Sequence, residues 1–342
     1  MAARRSGPSA GRSGGSRGGS SSGASRSSGS SRSAGTGRSS GSSRSSGTGS
    51  SRGRSSSSSS RNPARTTNPV RTGGPRRMIE DKNGLRSAAA KEKGLGGEQV
   101  EGRQAVRELL IAGKRKVREI WMANDIDSAS IIEDIEELAH AQRVTILEVP
   151  RKKLEEKARS EAPQGIIAFA AEIPEGDLGE MLRGTKNTRP FLVAVDGVTD
   201  PGNLGALLRC CDGAGVTGVI LPKHRSVHVT PTVAKSSAGA VEHVPMALVS
   251  GLPTAIRQMK EKGIWVVGLD DGGRQTLFEI DKLALEGICV VMGAEGSGLS
   301  RLVKERCDAV VSIPMLGQVS SLNVSAAAAL AVYEVARARL AK

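Results

Sequence analysis

Three blocks in the second half of the chain combine glycine, small polar and charged residues in the way a ligand pocket requires. The first is Asp200-Pro201-Gly202-Asn203-Leu204-Gly205, running into Leu207-Leu208-Arg209. The second is Gly293-Ala294-Glu295-Gly296-Ser297-Gly298. The third joins Ile313-Pro314-Met315-Leu316-Gly317 to Ser320-Ser321-Leu322-Asn323-Val324-Ser325. Each follows a short apolar run, breaks it with Gly, Pro or Ser, and leaves a polar side chain at the strand's end. Loops of that kind bind a ligand through backbone groups and hold polar side chains for chemistry beside it, so an enzyme is expected.

In the first block Asn203 is placed to cap a helix. Leu204, Leu207, Leu208 and Cys211 then form an i, i+3, i+4, i+7 stripe. Arg209 lies off that stripe, on the side of Gly205 one turn earlier, where a missing side chain would leave room beside a guanidinium suited to phosphate or carboxylate. A surface arginine on an amphipathic helix is the plainer alternative. In the second block Gly293 permits close backbone approach to a ligand, and Glu295 is an acceptor at a strand tip. In the third, Pro314 stops a strand, Gly317 permits a turn, and Ser321 and Asn323 sit where a helix begins. Capping accounts for one of those polar residues, but not readily for both together with Ser320 and Ser325.

Several chemistries are not encoded. No GxGxxG opens the first strand–helix turn of the domain, no GxxxxGK[ST] occurs, and no GxSxG lies within residues 98–342. His140, His224, His228 and His243 lie outside the three blocks and read as structural or surface residues. No metal-ligand spacing occurs, and none of Cys210, Cys211, Cys289 and Cys307 forms a CxxC. Those cysteines read as buried thiols in a reducing cytoplasm. The six aromatic residues are scattered in sequence, which disfavours a base-stacking platform of the RRM or OB type.

The elements that position the blocks follow from periodicity. Short Val- and Ile-rich runs at 191–195, 216–221, 264–269, 288–292 and 309–313, mostly separated by helical segments, predict an open α/β domain with one mostly parallel sheet over 190–342. Ligands bind such sheets at the carboxyl ends of the strands, where all three blocks fall. An Ala-rich helix closes the chain from about Ser325 to Leu340. Ahead of this domain, residues 98–173 alternate strand and helix as a small α/β module. It contains a charged run, 151–157, read as a solvated helix, and is followed by a polar linker over 174–189.

Residues 1–97 read as a disordered Ser-, Gly- and Arg-rich tail with no apolar run and no signal-peptide core. The whole chain holds 49 Lys and Arg against 35 Asp and Glu, a net charge of +14. Fifteen of the cations are arginines in residues 1–79, which contain no acid. The remainder therefore carries 34 basic and 35 acidic residues, a net −1. The basicity belongs to the tail, which is expected to touch nucleic acid without regard to sequence; a solubilising low-complexity extension without a dedicated partner is the plainer alternative.

Taken in order, the three blocks resemble the motifs of the SpoU/TrmH (SPOUT) family of RNA ribose 2′-O-methyltransferases, and residues 98–172 resemble its small substrate-binding domain. The arrangement is most similar to the bacterial 23S rRNA guanosine-2′-O-methyltransferase subgroup, with a tRNA ribose methyltransferase or a catalytically silent RNA-binding factor of the same fold as alternatives. The resemblance implies a C-terminal trefoil-knotted α/β methyltransferase domain with a mostly parallel sheet, behind an L30e-like module, working as a homodimer on RNA without a metal. It implies S-adenosylmethionine as methyl donor, met by backbone groups at Gly293, Ile313 and Leu322. Asn203, Arg209, Glu295, Ser321 and Asn323 match the family's catalytic polar set. One departure is Pro163, where many relatives carry His before Gln164-Gly165.

Overall fold

A computed structural model describes residues 94–224 and 227–341. The basic tail expected to meet nucleic acid lies outside the described residues. Of the stretch read as disordered, residues 94–97 are described, and there the expectation fails. Leu95 is 1% exposed, its carbonyl accepts from the Val229 N–H, and Gly96 bridges to Val229. A single leucine among glycines carries no periodicity, so its burial is not legible locally.

The small module comprises β1 (Gln99–Glu101), α1 (Arg103–Ala112), β2 (Val117–Ala123), α2 (Ser130–Ala141), β3 (Thr145–Val149), α3 (Arg151–Lys157) and β4 (Ile166–Ala170). Its sheet runs β1-β4-β2-β3, with β4 antiparallel to both neighbours and β2 parallel to β3. Ile120, Met122, Ile166 and Ala168 share a core with Val106 and Leu109 of α1 and Ile132 and Ile135 of α2. The alternate residues face α3, whose Leu154 packs with Ala123, Val149 and Ile167. The charged run is thus a helix, but an amphipathic one. Two of the scattered aromatics also meet on this face: Trp121 and Phe169 stand edge to face at 5.4 Å, with the ammonium groups of Lys153 and Lys157 over the rings.

The segment read as a polar linker carries α4 (Leu178–Arg183), capped by Asp177 and anchored by buried Met181 and Leu182. Beyond it lie β5 (Phe191–Asp196), α5 (Pro201–Gly213), β6 (Gly218–Pro222), α6 (Pro231–Ser236), β7 (Met246–Val249), α7 (Leu252–Glu261), β8 (Trp265–Leu269), β9 (Gln275–Thr276), α8 (Asp281–Ala284), β10 (Ile288–Gly293), α9 (Arg301–Arg306), β11 (Ala309–Ser312) and α10 (Val324–Leu340). These strands form one sheet, β7-β6-β5-β10-β8-β11-β9, in which every pairing is parallel. Strands β7 and β9 were not anticipated; both lie at sheet edges, β9 only two residues long and polar, and β7, though apolar, only four residues long. Alternate residues of β5 face opposite cores. Val193 and Val195 pack with Leu204, Leu207 and Leu208 of α5, while Leu192 and Ala194 pack with Ile256 and Met259 of α7. Each fully buried Val, Leu, Ile or Met among them contributes about 1.5–3 kcal/mol.

One apolar core runs through both modules, joining Val100 and Val106 to Val229, Val233 and Val241. Beside it Arg115 and Glu242, each 2% exposed, form a two-point ion pair at 2.5 and 2.9 Å. Arg115 also donates to the carbonyls of Gly97 and Ala171, both at 2.6 Å. His243 contacts Glu108 at 2.9 Å, and Lys235 of α6 donates to the carbonyls of Glu161 and Ala162. His228 contacts the carbonyl of Gly94. Both histidines belong to the junction.

Candidate active site

The central strands β5, β10 and β8 end side by side, and the loops leaving β8, β10 and β11 enclose a cavity of about 750 Å³. Gly293, Glu295, Ile313, Ser321 and Leu322 line it. So do the apolar side chains of Leu269, Met292 and Val324 and the carboxyl-bearing Asp270 and Asp271. The second and third blocks therefore share one space.

The first block joins them through a chain of amides. Asn323 caps α10, its Oδ1 accepting from the Ser325 N–H and hydroxyl at 2.9 and 2.6 Å. Asn323 Nδ2 donates to Asn203 Oδ1 at 2.8 Å, and Asn203 Nδ2 donates to Glu295 Oε2 at 3.3 Å. Three residues distant in sequence thus meet at hydrogen-bond range.

Asn203 does not cap α5 as expected. The cap is Asp200, whose carboxylate accepts the Asn203 N–H at 2.6 Å, with Pro201 at the first helical position. Asp followed by Pro is the stronger start signal, and it releases the Asn203 side chain to bridge the other two blocks. Gly205 also differs from its reading. Instead of leaving room beside Arg209, it admits α6: a Cβ there would lie 2.7 Å from the Val233 carbonyl oxygen. At Gly293 a Cβ would lie 2.6 Å from both the Gly298 carbonyl and the Leu299 nitrogen. That glycine lets its own loop fold back.

Arg209 stands apart. It lies six residues beyond Asn203 along α5, about 9 Å of helical rise, and is exposed. Among the described residues its guanidinium has no hydrogen-bond or ion-pair partner, and it does not line the cavity. Pro163 is buried, and the neighbouring exposed Gln164 accepts the Arg103 N–H at 3.0 Å through its side chain.

Sequence reasoning overlooked Asp270, directly after β8. Burial opposes its ionisation most strongly. Hydrogen bonds from Lys304 and from the Gly272 and Leu299 N–H groups nevertheless hold its carboxyl below the usual carboxylate range. An acid directly following a buried parallel strand was the available signal. Burial also raises the thiols of Cys211 and Cys289 well above the ordinary cysteine value.

An all-parallel α/β sheet with a polar cleft at its strand ends, fastened to a small α/β module, defines the class. The chain belongs to the SpoU rRNA methylase family: residues 190–333 match the model of that name, and residues 99–175 match the RNA 2′-O ribose methyltransferase substrate-binding model. It is 41% identical to a putative TrmH family tRNA/rRNA methyltransferase of Bacillus subtilis, over 70% of this chain and 94% of that one. It is 43% identical to the 23S rRNA (guanosine-2′-O-)-methyltransferase of Shewanella oneidensis, over 70% and 96%. Among solved structures it is similar to the SpoU methyltransferase AviRb of Streptomyces viridochromogenes in complex with AdoMet. There the TM-score is 0.59 and the identity 27%, over 71% of this chain and 90% of that one.

Proposed function

We propose that the protein transfers the methyl group of S-adenosylmethionine to a ribose 2′-hydroxyl of RNA, and that its target is a guanosine of 23S rRNA. The observation carrying this reading is the convergence of all three blocks at one cleft, through Asn323, Asn203 and Glu295. The cavity volume falls in the range of small-molecule sites. Its apolar lining, from Leu269, Met292, Ile313 and Leu322, suits a nucleoside, and the Asp271 carboxylate suits a cationic one. Backbone groups at Gly293, Ile313 and Leu322 would hold the donor there. The rRNA assignment draws support from the Shewanella relative, matched over nearly its whole length.

A sulfonium donor supplies a methyl group with a good leaving group, so the chain's own residues need only align the acceptor and manage its proton. The Arg209 guanidinium offers N–H donors and no acceptor. Its role in this reading is to hold the RNA phosphate next to the reacting ribose and to stabilise charge developing on the 2′-oxygen. Asn203 and Glu295 orient the loops around it, and Ser321 and Asn323 shape the reacting position. The separation of Arg209 from the cavity supports a site completed by RNA and by a second copy of the chain. Leu316, 98% exposed in the third block, supports the same homodimer. Buried thiols support a reducing, cytoplasmic setting.

Arg209→Ala tests the assignment. It is expected to lower methyl transfer at least about 100-fold, the scale of losing one group that stabilises transition-state charge, with donor affinity unchanged by calorimetry. Full transfer by that variant would remove Arg209 from the mechanism. A wild-type protein that binds no S-adenosylmethionine would instead favour a catalytically silent RNA-binding factor.

A further inference from the structure

The second block folds back on itself. Ala294 and Gly298 exchange backbone hydrogen bonds at 3.0 and 2.9 Å, closing residues 294–298 into a small ring beside the cavity. The chain then leaves through Leu299 and Ser300 into α9. Those two residues offer consecutive N–H groups at the start of a helix, where no intrahelical partner exists, and Ser300 makes no side-chain cap.

Both N–H groups are taken by carboxylates from the strands on either side. The Leu299 N–H donates to Asp270 Oδ2 at 3.2 Å, and the Ser300 N–H donates to Asp196 Oδ2 at 2.8 Å. Asp196 ends β5 and Asp270 follows β8, the two neighbours of β10 in the sheet. The loop leaving the central strand is therefore gripped from both sides. Asp270 does more than its counterpart. Its Oδ1 accepts from the Gly272 N–H at 3.0 Å and from Lys304 of α9 at 2.5 Å, and its own N–H donates to the Val311 carbonyl at 3.0 Å. Its side chain is only 6% exposed. One residue thus ties together the loops leaving β8 and β10, helix α9 and the strand that leads into the third block.

We propose that Asp196 and Asp270 are positioning residues that clamp the 293–300 loop and so set the affinity for the methyl donor, without taking part in methyl transfer. This deepens the functional reading above and rests on it. Loss of either carboxylate frees a backbone N–H and loosens one side of the ring that carries Glu295 and lines the donor cavity. Arg209, Ser321 and Asn323, which hold the acceptor in this reading, lie outside the clamped loop, and bound donor re-seats the loop with Glu295, so turnover at saturating donor is kept.

The test measures S-adenosylmethionine affinity by calorimetry, and KM and kcat for methyl transfer, on the full-length protein carrying Asp270→Ala, Asp270→Asn or Asp196→Ala. Asp270→Ala is expected to weaken donor binding about 10- to 100-fold and Asp196→Ala about tenfold, the scale of losing hydrogen bonds to a charged acceptor. Asp270→Asn, which keeps an acceptor oxygen, recovers part of the loss. In all three, kcat at saturating donor stays within about threefold of wild type, a split that general destabilisation would not produce. If Asp270→Ala does not fold, the other two variants decide the matter by the same readouts. Wild-type donor affinity in the variants, or a loss confined to kcat, overturns the clamp while leaving the methyltransferase reading in place. A wild-type protein that takes no donor overturns both.

Discussion

The junction between the two modules and the cleft at the strand ends are both built from charged and amide side chains, and they use them in opposite ways. At the junction Arg115 and Glu242 are each 2% exposed, and the guanidinium bonds to a carboxylate and two carbonyls. At the cleft Glu295 and Asn323 are exposed, and Arg209, further along α5 and outside the cavity, is exposed with no hydrogen-bond or ion-pair partner among the described residues. Removing charge from water repays its cost only when pairing is complete, and a completed pair fixes geometry. A charge left in water can exchange its hydration for a ligand's phosphate. The junction therefore holds the RNA module in one place, and the cleft keeps its polar groups available.

That difference is breakable, and its largest consequence is at the junction. Arg115→Ala leaves the Glu242 carboxylate and two carbonyls buried without their partner, so it is expected to cost about 3–5 kcal/mol of stability. Thermal unfolding followed by circular dichroism measures it. The double variant Arg115→Met with Glu242→Leu is expected to recover part of the loss, and only part, because the carbonyls of Gly97 and Ala171 stay unpaired. A single variant that melts with wild type would mean the pair is wetter than its burial indicates.

A smaller effect separates junction from cleft along α6, whose adjacent residues face both ways. Lys235 reaches the small module, while Ser236 lies against α5, its hydroxyl donating to the Thr232 carbonyl of its own helix at 2.8 Å and sitting 3.4 Å from the Pro201 carbonyl. Gly205→Ala would place a Cβ 2.7 Å from the Val233 carbonyl oxygen and 2.9 Å from Ser236 Cβ. Backbone must move to accept it, at about 1–3 kcal/mol. Because α6 joins the junction to α5, which carries Asn203, a fall in melting temperature and a weaker methyl transfer are expected together. A stability loss with full activity would show that the cleft does not depend on how α6 is seated.

The sheet, its parallel sense and the blocks at its strand ends were legible in the sequence because short Val- and Ile-rich runs and broken strand tips leave a local imprint. What was not legible depends on partners remote in the chain. Asn203 looked like a cap, and only the fold shows that Asp200 does that work and frees Asn203 for Glu295 and Asn323. Gly205 looked like an opening and is a contact with α6. The buried Leu95 and the pairing of Arg115 with Glu242, 127 residues away, have no local signature at all.

The smallest effect concerns Asp270, which shares features of both regions: buried like the junction, yet part of the cavity wall. Its carboxyl is held below the ordinary range by Lys304 and two backbone N–H groups, which outweigh burial acting in the opposite sense. A depressed value in the folded protein means that the ionised form contributes stability above the unfolded value, near pH 4, and that this is lost as pH falls through the folded value. Asp270→Asn is therefore expected to lower stability by about 1–2 kcal/mol at neutral pH. The difference from wild type should be constant down to about pH 5 and then close in more acid solution, where both side chains are uncharged. Melting temperatures of the two proteins across that range measure it. A gap that persists below the folded value would assign the effect to the shape of the side chain and not to its charge.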